Sequence, residues 1–357
     1  MVLTIERTKL VLPGPITKKV LMIPRTITTW QSLSWQEELS QLITDPETLL
    51  DLVQLDKTLL PQAKKAAELF PLRTTPSFAR RIRPGDINDP LLRQILPIDQ
   101  ELHSPMEYST DPLAEVHSTV AKGLIHKYEG RVLLVAASQC AINCRYCFRR
   151  HFDYAGNTPS RGEWQAALTY IQQNDSIEEV ILSGGDPLAI SDKQIQWLIS
   201  EICQIPHITR LRIHTRLPIV LPSRMTSGLL DILSQHRLQS VLVVHCNHAQ
   251  EIDEEVSNAL QAIAQAGITL LNQTVLLRGI NDDANSLTTL SKRLFSARAL
   301  PYYLHLLDKV NGASHFNVEE SDAIDLHRQL LASLPGYLVP KLVKEVPDKP
   351  SKVPINY

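Results

Sequence analysis

Three cysteines lie close together in the chain, in the run Cys140-Ala-Ile-Asn-Cys144-Arg-Tyr-Cys147. Thiolates on one short loop can bind three irons of a four-iron cluster, which leaves the fourth iron without a protein ligand. A simple electron carrier closes that position with a fourth cysteine, whereas an open iron can bind a small molecule that accepts an electron. Zinc is the alternative, with His151 as fourth ligand, but structural zinc sites usually combine two separate ligand pairs. The spacing therefore favours an iron–sulfur cluster.

A second chemically distinctive segment, Ser183-Gly-Gly-Asp186, directly follows a predicted strand. Its glycines would let the backbone approach a ligand closely, and the carboxylate of Asp186 can accept hydrogen bonds from an ammonium group. One strand after a three-cysteine loop, this segment resembles the element with which radical S-adenosylmethionine (SAM) enzymes hold the amino group of SAM. We therefore predict that SAM contacts Ser183, Gly184, Gly185 and Asp186. His245, at the end of a later strand, is a further candidate, with a buried structural role as the alternative.

The elements that position these segments follow a regular alternation of strand and helix from residue 131 onward. Apolar runs typical of buried parallel strands occupy residues 132–137, 179–183, 210–215, 240–246, 269–275 and 302–307. Helical patterns occupy residues 163–173, 192–203, 226–236, 253–266 and 284–297, and capping boxes begin two of them at Ser160 and Ser191. The pattern predicts an α/β fold, a partial (β/α)6 TIM-like barrel with its chemistry at the carboxyl ends of the strands.

Three regions are predicted along the chain. Residues 1–110 form a mostly helical N-terminal region, with helices over residues 35–45, 46–54 and 61–70. Residues 111–330 form the barrel core, and residues 331–357 form a short C-terminal segment.

Composition excludes several classes of protein. The chain has 357 residues and a formal net charge of −2, which does not indicate a broad basic surface for nucleic acid. Five cysteines, three of them in one motif, do not form a disulfide framework and predict a reducing compartment, the cytoplasm. Residues 1–24 lack a long apolar run, so neither a signal peptide nor a membrane segment is expected.

Several segments together resemble the lysine 2,3-aminomutase family of radical SAM enzymes. The similarity runs from about Asp111 to the C-terminus and looks greatest to a short bacterial branch, whose members supply β-lysine for modifying elongation factor P. It is carried by the residue runs 126–128, 144–152, 183–188, 212–222, 271–277, 301–305 and 336–341, and by residues 89–93 near the N-terminus.

The resemblance implies the reaction and the cofactors. It implies an isomerase that converts L-lysine to (R)-β-lysine with a [4Fe-4S] cluster, SAM and pyridoxal 5′-phosphate (PLP). Alignment of residues 336–340 makes Lys352 the lysine that binds PLP, although the glycines that precede it in the family are absent. The alternatives for that role are Lys341, Lys344 and Lys349.

The resemblance also implies roles for other residues. Arg149 matches the arginine that pairs with the substrate carboxylate, while Asp308 and Glu345 match the two acids that recognise the distant ammonium group. His305 stands where longer family members have a tyrosine near the cofactor ring. The positions that match the surroundings of the PLP phosphate are Lys127, Tyr128, Arg131 and Gln273.

The resemblance also implies the partners of the enzyme, while the composition argues against nucleic acid and membrane and two alternative functions remain open. We expect free L-lysine as substrate, a reductase or flavodoxin-type electron donor, a separate ligase that uses β-lysine on elongation factor P, and no nucleic acid or membrane. The oligomeric state is not predicted. One alternative is a radical SAM enzyme with another reaction, such as a glutamate 2,3-aminomutase or an enzyme without PLP. The other is a zinc-stabilised binding protein.

Overall fold

The computed structural model describes residues 34–152 and 160–356, and ten strands in these ranges form one sheet in chain order. Strands β3 to β9 are parallel, while β1–β2–β3 and β9–β10 pair antiparallel. The strands are β1 (Thr119–Ala121), β2 (Leu124–Tyr128), β3 (Arg131–Ala137), β4 (Glu179–Gly184), β5 (Arg210–Thr215), β6 (Gln239–His245), β7 (Thr269–Val275), β8 (Leu300–His305), β9 (Lys341–Lys344) and β10 (Val353–Pro354). The six predicted strands are thus confirmed as β3 to β8, and four further strands were not predicted.

Helices cover the parallel strands and form most of the described chain between residues 34 and 79. They are α1 (Trp35–Ser40), α2 (Pro46–Leu52), α3 (Leu60–Leu69), α4 (Pro76–Ala79), α5 (Arg161–Gln172), α6 (Asp192–Cys203), α7 (Leu217–Val220), α8 (Ser227–Ser234), α9 (Glu254–Gln265), α10 (Ala284–Ser296) and α11 (Glu320–Ser333). The two predicted capping boxes are present, because Ser160 accepts from the Glu163 amide and Ser191 from the Gln194 amide. Across the described ranges, none of the helices combines the length and apolar character needed to cross a membrane.

The sheet curls towards a barrel. Strands β2 and β9 lie near its opposite edges, yet Lys127 of β2 contacts Glu345, which directly follows β9. Strands β1 and β10 do not pair with each other, so the barrel stays open. The predicted partial barrel is therefore confirmed.

One hydrophobic core joins the early helices to the barrel. Buried Leu49 and Phe78 belong to the same cluster as Leu182 of β4 and Leu242 of β6. A smaller cluster packs α11, which was not predicted, against α10 and β9. The division into three regions remains a prediction, and its first 33 residues lie outside the described residues.

Candidate active site

The cysteine loop begins where β3 ends, at the carboxyl edge of the parallel strands. Two arginines of this loop bind Glu101. Arg145 donates to both carboxylate oxygens of Glu101, at 2.8 and 2.5 Å, and Arg150 donates to one of them at 2.7 Å. Both guanidinium groups lie over the ring of Phe70, 4.8 and 4.7 Å from its centroid. The position of the loop therefore depends on a buried ion network around Glu101. The sequence alone predicts no role for this residue.

The three thiols lie close enough to influence one another. Burial raises the pKa of Cys140, with neighbouring Cys147 and Cys144 adding to the effect, and burial together with Cys144 raises the pKa of Cys147 to about 12. Arg216 donates to the Cys144 sulfur at 2.7 Å. Crowded thiols of this kind gain stability as thiolates when iron supplies positive charge.

The donor set fits an iron–sulfur cluster better than a single ion. A single zinc ion needs ligand atoms within about 2.3 Å of one point, whereas each thiolate of a cluster binds a different iron. Within residues 34–152 and 160–356, no three His, Cys, Asp or Glu side chains are grouped to hold one metal ion. His151, the fourth ligand of the zinc alternative, contacts the Asn311 carbonyl at 3.2 Å.

The two glycines at the end of β4 allow backbones to pack closely. A Cβ atom on Gly184 would lie 2.6 Å from the Ala137 carbonyl oxygen, and one on Gly185 would lie 2.5 Å from that of Gln139. Gly184 also has a positive φ of 115°, which other residues rarely adopt. The glycines thus seat the start of the cysteine loop against β4.

Asp186 is fully engaged by protein donors. Its Oδ1 accepts from the Thr215 hydroxyl at 2.7 Å and the Leu188 amide at 3.1 Å, while its Oδ2 accepts from the amides of Arg216 and Leu217 at 2.7 and 3.1 Å. Burial raises its pKa, which these hydrogen bonds oppose. Because a carboxylate offers about four acceptor positions, these donors fill Asp186, and the residue ties β4 to β5.

Glu345 is the centre of a buried charge cluster on the opposite side of the barrel. It pairs with Lys352, accepts a hydrogen bond from the Tyr128 hydroxyl, and contacts the Lys127 ammonium at 3.2 Å. Burial opposes its ionisation, but Lys352, Tyr128 and Lys127 hold the pKa of this carboxyl at about 2. The Arg131 guanidinium lies 4.6 Å from the centre of the Tyr128 ring. The structure thus brings together most of the residues predicted around PLP.

Lys352 owes its position to the hairpin of β9 and β10. It directly precedes Val353, which pairs with Lys344, so its side chain returns to the barrel interior. The other C-terminal lysines point elsewhere, since Lys341 and Lys349 are exposed and Lys344 pairs with Glu320 at 2.6 Å. This geometry distinguishes Lys352 from the alternatives.

Asp308 lies beside this cluster without an ion pair in the described residues. Burial and the neighbouring Glu345 raise its pKa to about 7, and the charge of Lys352 opposes this. Two like charges close together in a desolvated site favour protonation of one of them. The two predicted ammonium-binding acids are therefore adjacent, and one of them is ionised only in part near neutral pH.

Histidines from strands β5, β6 and β8 line the interior around Lys352. Burial, assisted by the Lys352 charge, lowers the pKa of His214 and His305, and burial with Arg216 lowers that of His245 to about 3. Gln273 donates to His245 at 3.0 Å. Within the described residues, the Nε2 atoms of His214 and His305 and the Oε1 atom of Gln273 have no hydrogen-bond partner. Such buried polar atoms are expected to face a ligand.

Arg149, the residue predicted to pair with the substrate carboxylate, is held by protein partners. Its guanidinium binds both carboxylate oxygens of Glu115, at 2.8 and 2.6 Å, and donates to the Ser183 hydroxyl at 3.3 Å. Glu115 was missed because nothing in its local sequence distinguishes it. Tyr303 of β8 was missed too, although its ring centre lies 5.8 Å from the Lys352 ammonium and 5.3 Å from the His305 ring centre.

Fold and site define the class of protein. The model of the radical SAM superfamily matches residues 134–288, which include the cysteine loop and the glycine segment. An open parallel barrel with a three-cysteine loop after its first parallel strand is the arrangement of a radical SAM enzyme, a class that uses a [4Fe-4S] cluster and SAM.

Relatives define the family within that class. The chain is 47% identical to the L-lysine 2,3-aminomutase of Escherichia coli K12, over 93% of this chain and 97% of the relative. It is 44% identical to that of Haemophilus influenzae, over 93% and 98%, and 48% identical to that of Buchnera aphidicola subsp. Baizongia pistaciae, over 90% and 95%. The chain belongs to the L-lysine 2,3-aminomutase family, and it is an enzyme of the isomerase class.

Proposed function

We propose that this chain is a PLP-dependent L-lysine 2,3-aminomutase. The observation that carries the proposal is a set of buried charged groups that face one interior. Asp308 and Glu345 lie beside Lys352, and Arg149, paired with Glu115, lies beside Ser183. Lys352 and Arg149 both influence the pKa of His245, so these groups surround the same interior. Lysine carries an ammonium group, for which the two acids are the proposed partners, and a carboxylate, for which Arg149 is the proposed partner.

The residues of this chain would bind and orient the cofactors and the substrate, and they would enclose the reaction site. When bound, the cluster and SAM would supply a radical, and PLP would supply a conjugated ring through which an amino group can move between adjacent carbons. Cys140, Cys144 and Cys147 would hold the cluster, and Lys352 would hold PLP. Moving an amino group to a carbon whose hydrogen is not acidic has no easy ionic route, so positioning of the radical is a large part of catalysis.

Charge balance links cofactor and substrate binding. Lys352 would leave its ion pair with Glu345 when it binds PLP, which makes the Glu345 carboxylate available for the substrate ammonium group. Asp308 beside it supplies a second negative charge. Both acids disfavour glutamate, whose side chain is itself an anion.

We further propose (R)-β-lysine as the product and its use by a separate ligase on elongation factor P, on the basis of the motifs shared with the short bacterial branch. The cluster needs an electron, for which a reductase or flavodoxin-type protein in the cytoplasm is the proposed donor. Its thiols also favour such a reducing compartment.

The test is turnover without oxygen. The protein is purified anaerobically, reconstituted with iron and sulfide, and incubated with SAM, PLP, dithionite and either L-lysine or L-glutamate. Mass spectrometry after chiral derivatisation should detect (R)-β-lysine, and the product should disappear in Cys144→Ala but not in the exposed-residue control Lys349→Ala. Turnover of L-glutamate but not of L-lysine would contradict the proposed substrate. Protein that binds zinc but neither iron nor sulfide would contradict the proposed radical SAM reaction.

A further inference from the structure

Arg216, which directly follows β5, contacts the predicted cluster loop. Its side chain is 5% exposed, and its Nη1 donates to the Cys144 sulfur at 2.7 Å. Its Nη2 donates to Gln94 Oε1 at 2.6 Å and to Glu251 Oε2 at 3.0 Å. The guanidinium therefore links a predicted iron ligand to a buried carboxylate.

This arrangement is built by several elements of the fold. Gln94 donates to Glu251 at 3.0 Å, and Asn247 donates from its side chain to Gln94 at 3.1 Å and from its backbone to Glu251 at 2.9 Å. The guanidinium also packs against aromatic rings, 5.4 Å from the ring centre of Phe78. A side chain held on this many sides keeps its orientation toward the sulfur.

The three predicted iron ligands differ in their surroundings. Cys147 accepts a hydrogen bond from the backbone amide of Arg149, which is a neutral donor. Cys144 accepts from a full cation that is buried, where the low dielectric strengthens the interaction. A charge-assisted hydrogen bond is roughly twice as strong as a neutral one.

We propose that Arg216 is a positioning residue that raises the reduction potential of the iron–sulfur cluster, by donating a charged hydrogen bond to the sulfur of Cys144. Reduction adds one electron, taken from the external donor or a chemical reductant, and makes the cluster more negative. A fixed cation at a ligand sulfur stabilises that reduced form, since hydrogen bonds to the sulfurs help to set the potential. The inference rests on the proposed function only in requiring that the loop binds a cluster.

The experiment is a redox titration followed by electron paramagnetic resonance, on anaerobically reconstituted full-length protein without SAM, PLP or lysine. Arg216→Gln removes the charge, and Arg216→Lys keeps it at a shorter reach. Arg81→Gln is the matched control, because Arg81 is also buried and also lies 5.4 Å from the Phe78 ring centre, but donates to backbone carbonyls such as that of Ile219.

We expect Arg216→Gln to lower the midpoint potential by about 59 mV, a tenfold change in the equilibrium of a one-electron couple. Arg216→Lys should shift it less, and Arg81→Gln should leave it unchanged. If Arg216→Gln fails to take up a cluster, the midpoint potential of Arg216→Lys tests the inference in its place.

An unchanged midpoint potential in the cluster-loaded Arg216 variants would overturn the inference. If SAM binding were weakened at the same time, Arg216 would be a SAM contact instead. Failure of the unmodified protein to bind a cluster would instead overturn the proposed function.

Discussion

Asp308 is the acid whose ionisation should control lysine binding near neutral pH. Its pKa of about 7 means that it is mostly protonated at pH 6 and mostly ionised at pH 8. Only the ionised form attracts an ammonium group, so we expect the KM for lysine to fall as the pH rises through 7. Steady-state rates between pH 6 and 8 measure this.

Asp308→Asn should remove both the charge and its titration. Loss of one hydrogen-bonded charge partner costs about 1.5–3 kcal/mol, so KM should rise roughly 10- to 100-fold and lose most of its dependence on pH. Asp325→Asn is the control, since Asp325 lies in an exposed pair with Arg328. A pH dependence that persists in Asp308→Asn would show that another group titrates.

The residues that sequence analysis found and missed differ in how they are recognised. Cys140, Cys144 and Cys147 were found because their spacing is local. Glu115 and Glu101 were missed because their partners Arg149 and Arg145 lie 34 and 44 positions away, and one sequence does not show which distant charges meet. The sequence predicts Asp186 as a hydrogen-bond acceptor for the ammonium group of SAM. Only the folded chain shows that four protein donors surround its carboxylate.

At the level of elements, the Glu101 network fixes the cysteine loop to the helices before the barrel. Glu101→Gln would leave two buried arginines without their carboxylate, and breaking a buried ion pair typically costs 3–5 kcal/mol. Glu320→Gln is the matched control, because Glu320 pairs with Lys344 on the surface and such pairs contribute about 0–1 kcal/mol. Chemical denaturation of the cluster-free proteins measures the free energy of unfolding of both variants. A decrease below 1 kcal/mol in Glu101→Gln would contradict the proposed role of the network.

The junction between β4 and the cysteine loop should tolerate no added side chain. Gly185→Ala would place a methyl group 2.5 Å from a backbone oxygen of Gln139, so the loop must shift. We expect reduced iron uptake on reconstitution, measured by iron and sulfide analysis. Gly162→Ala in α5 is the control, because nothing lies within 4 Å of its added Cβ. Equal iron uptake in both variants would show that the close packing has no consequence for the site.

The strands differ in how clearly their local sequences predict them. β4 is buried along its whole length, and the apolar run of residues 180–182 at its centre is typical of a central parallel strand. β2 and β9 are short, carry lysines and are buried only in part, and β10 has only two residues, so their local sequences give little indication of a strand. These missed strands carry Lys127 and Tyr128 and position Lys352, so half of the site depends on elements that the sequence did not reveal.

On the scale of the whole molecule, the fold should not depend on its cluster. The core extends from Ile43 to Ala299 through helices and strands, and the cysteine loop is held by ion pairs as well as by its predicted metal. We expect the cluster-free protein to keep its far-ultraviolet circular dichroism and to unfold cooperatively on heating. Small zinc domains behave differently and unfold without metal. Loss of the helical signal on removing iron would contradict this expectation.

The central claim is that the charged groups of the barrel interior are organised around Lys352 as the lysine that binds PLP. The most direct measurement is to load the protein with PLP, reduce the lysine–cofactor linkage with borohydride, and locate the label by peptide mass spectrometry. We predict label on Lys352, and none on the exposed Lys341 and Lys349 or on Lys344, which pairs with Glu320. Label on one of those three, or no specific label, would contradict the account of the site.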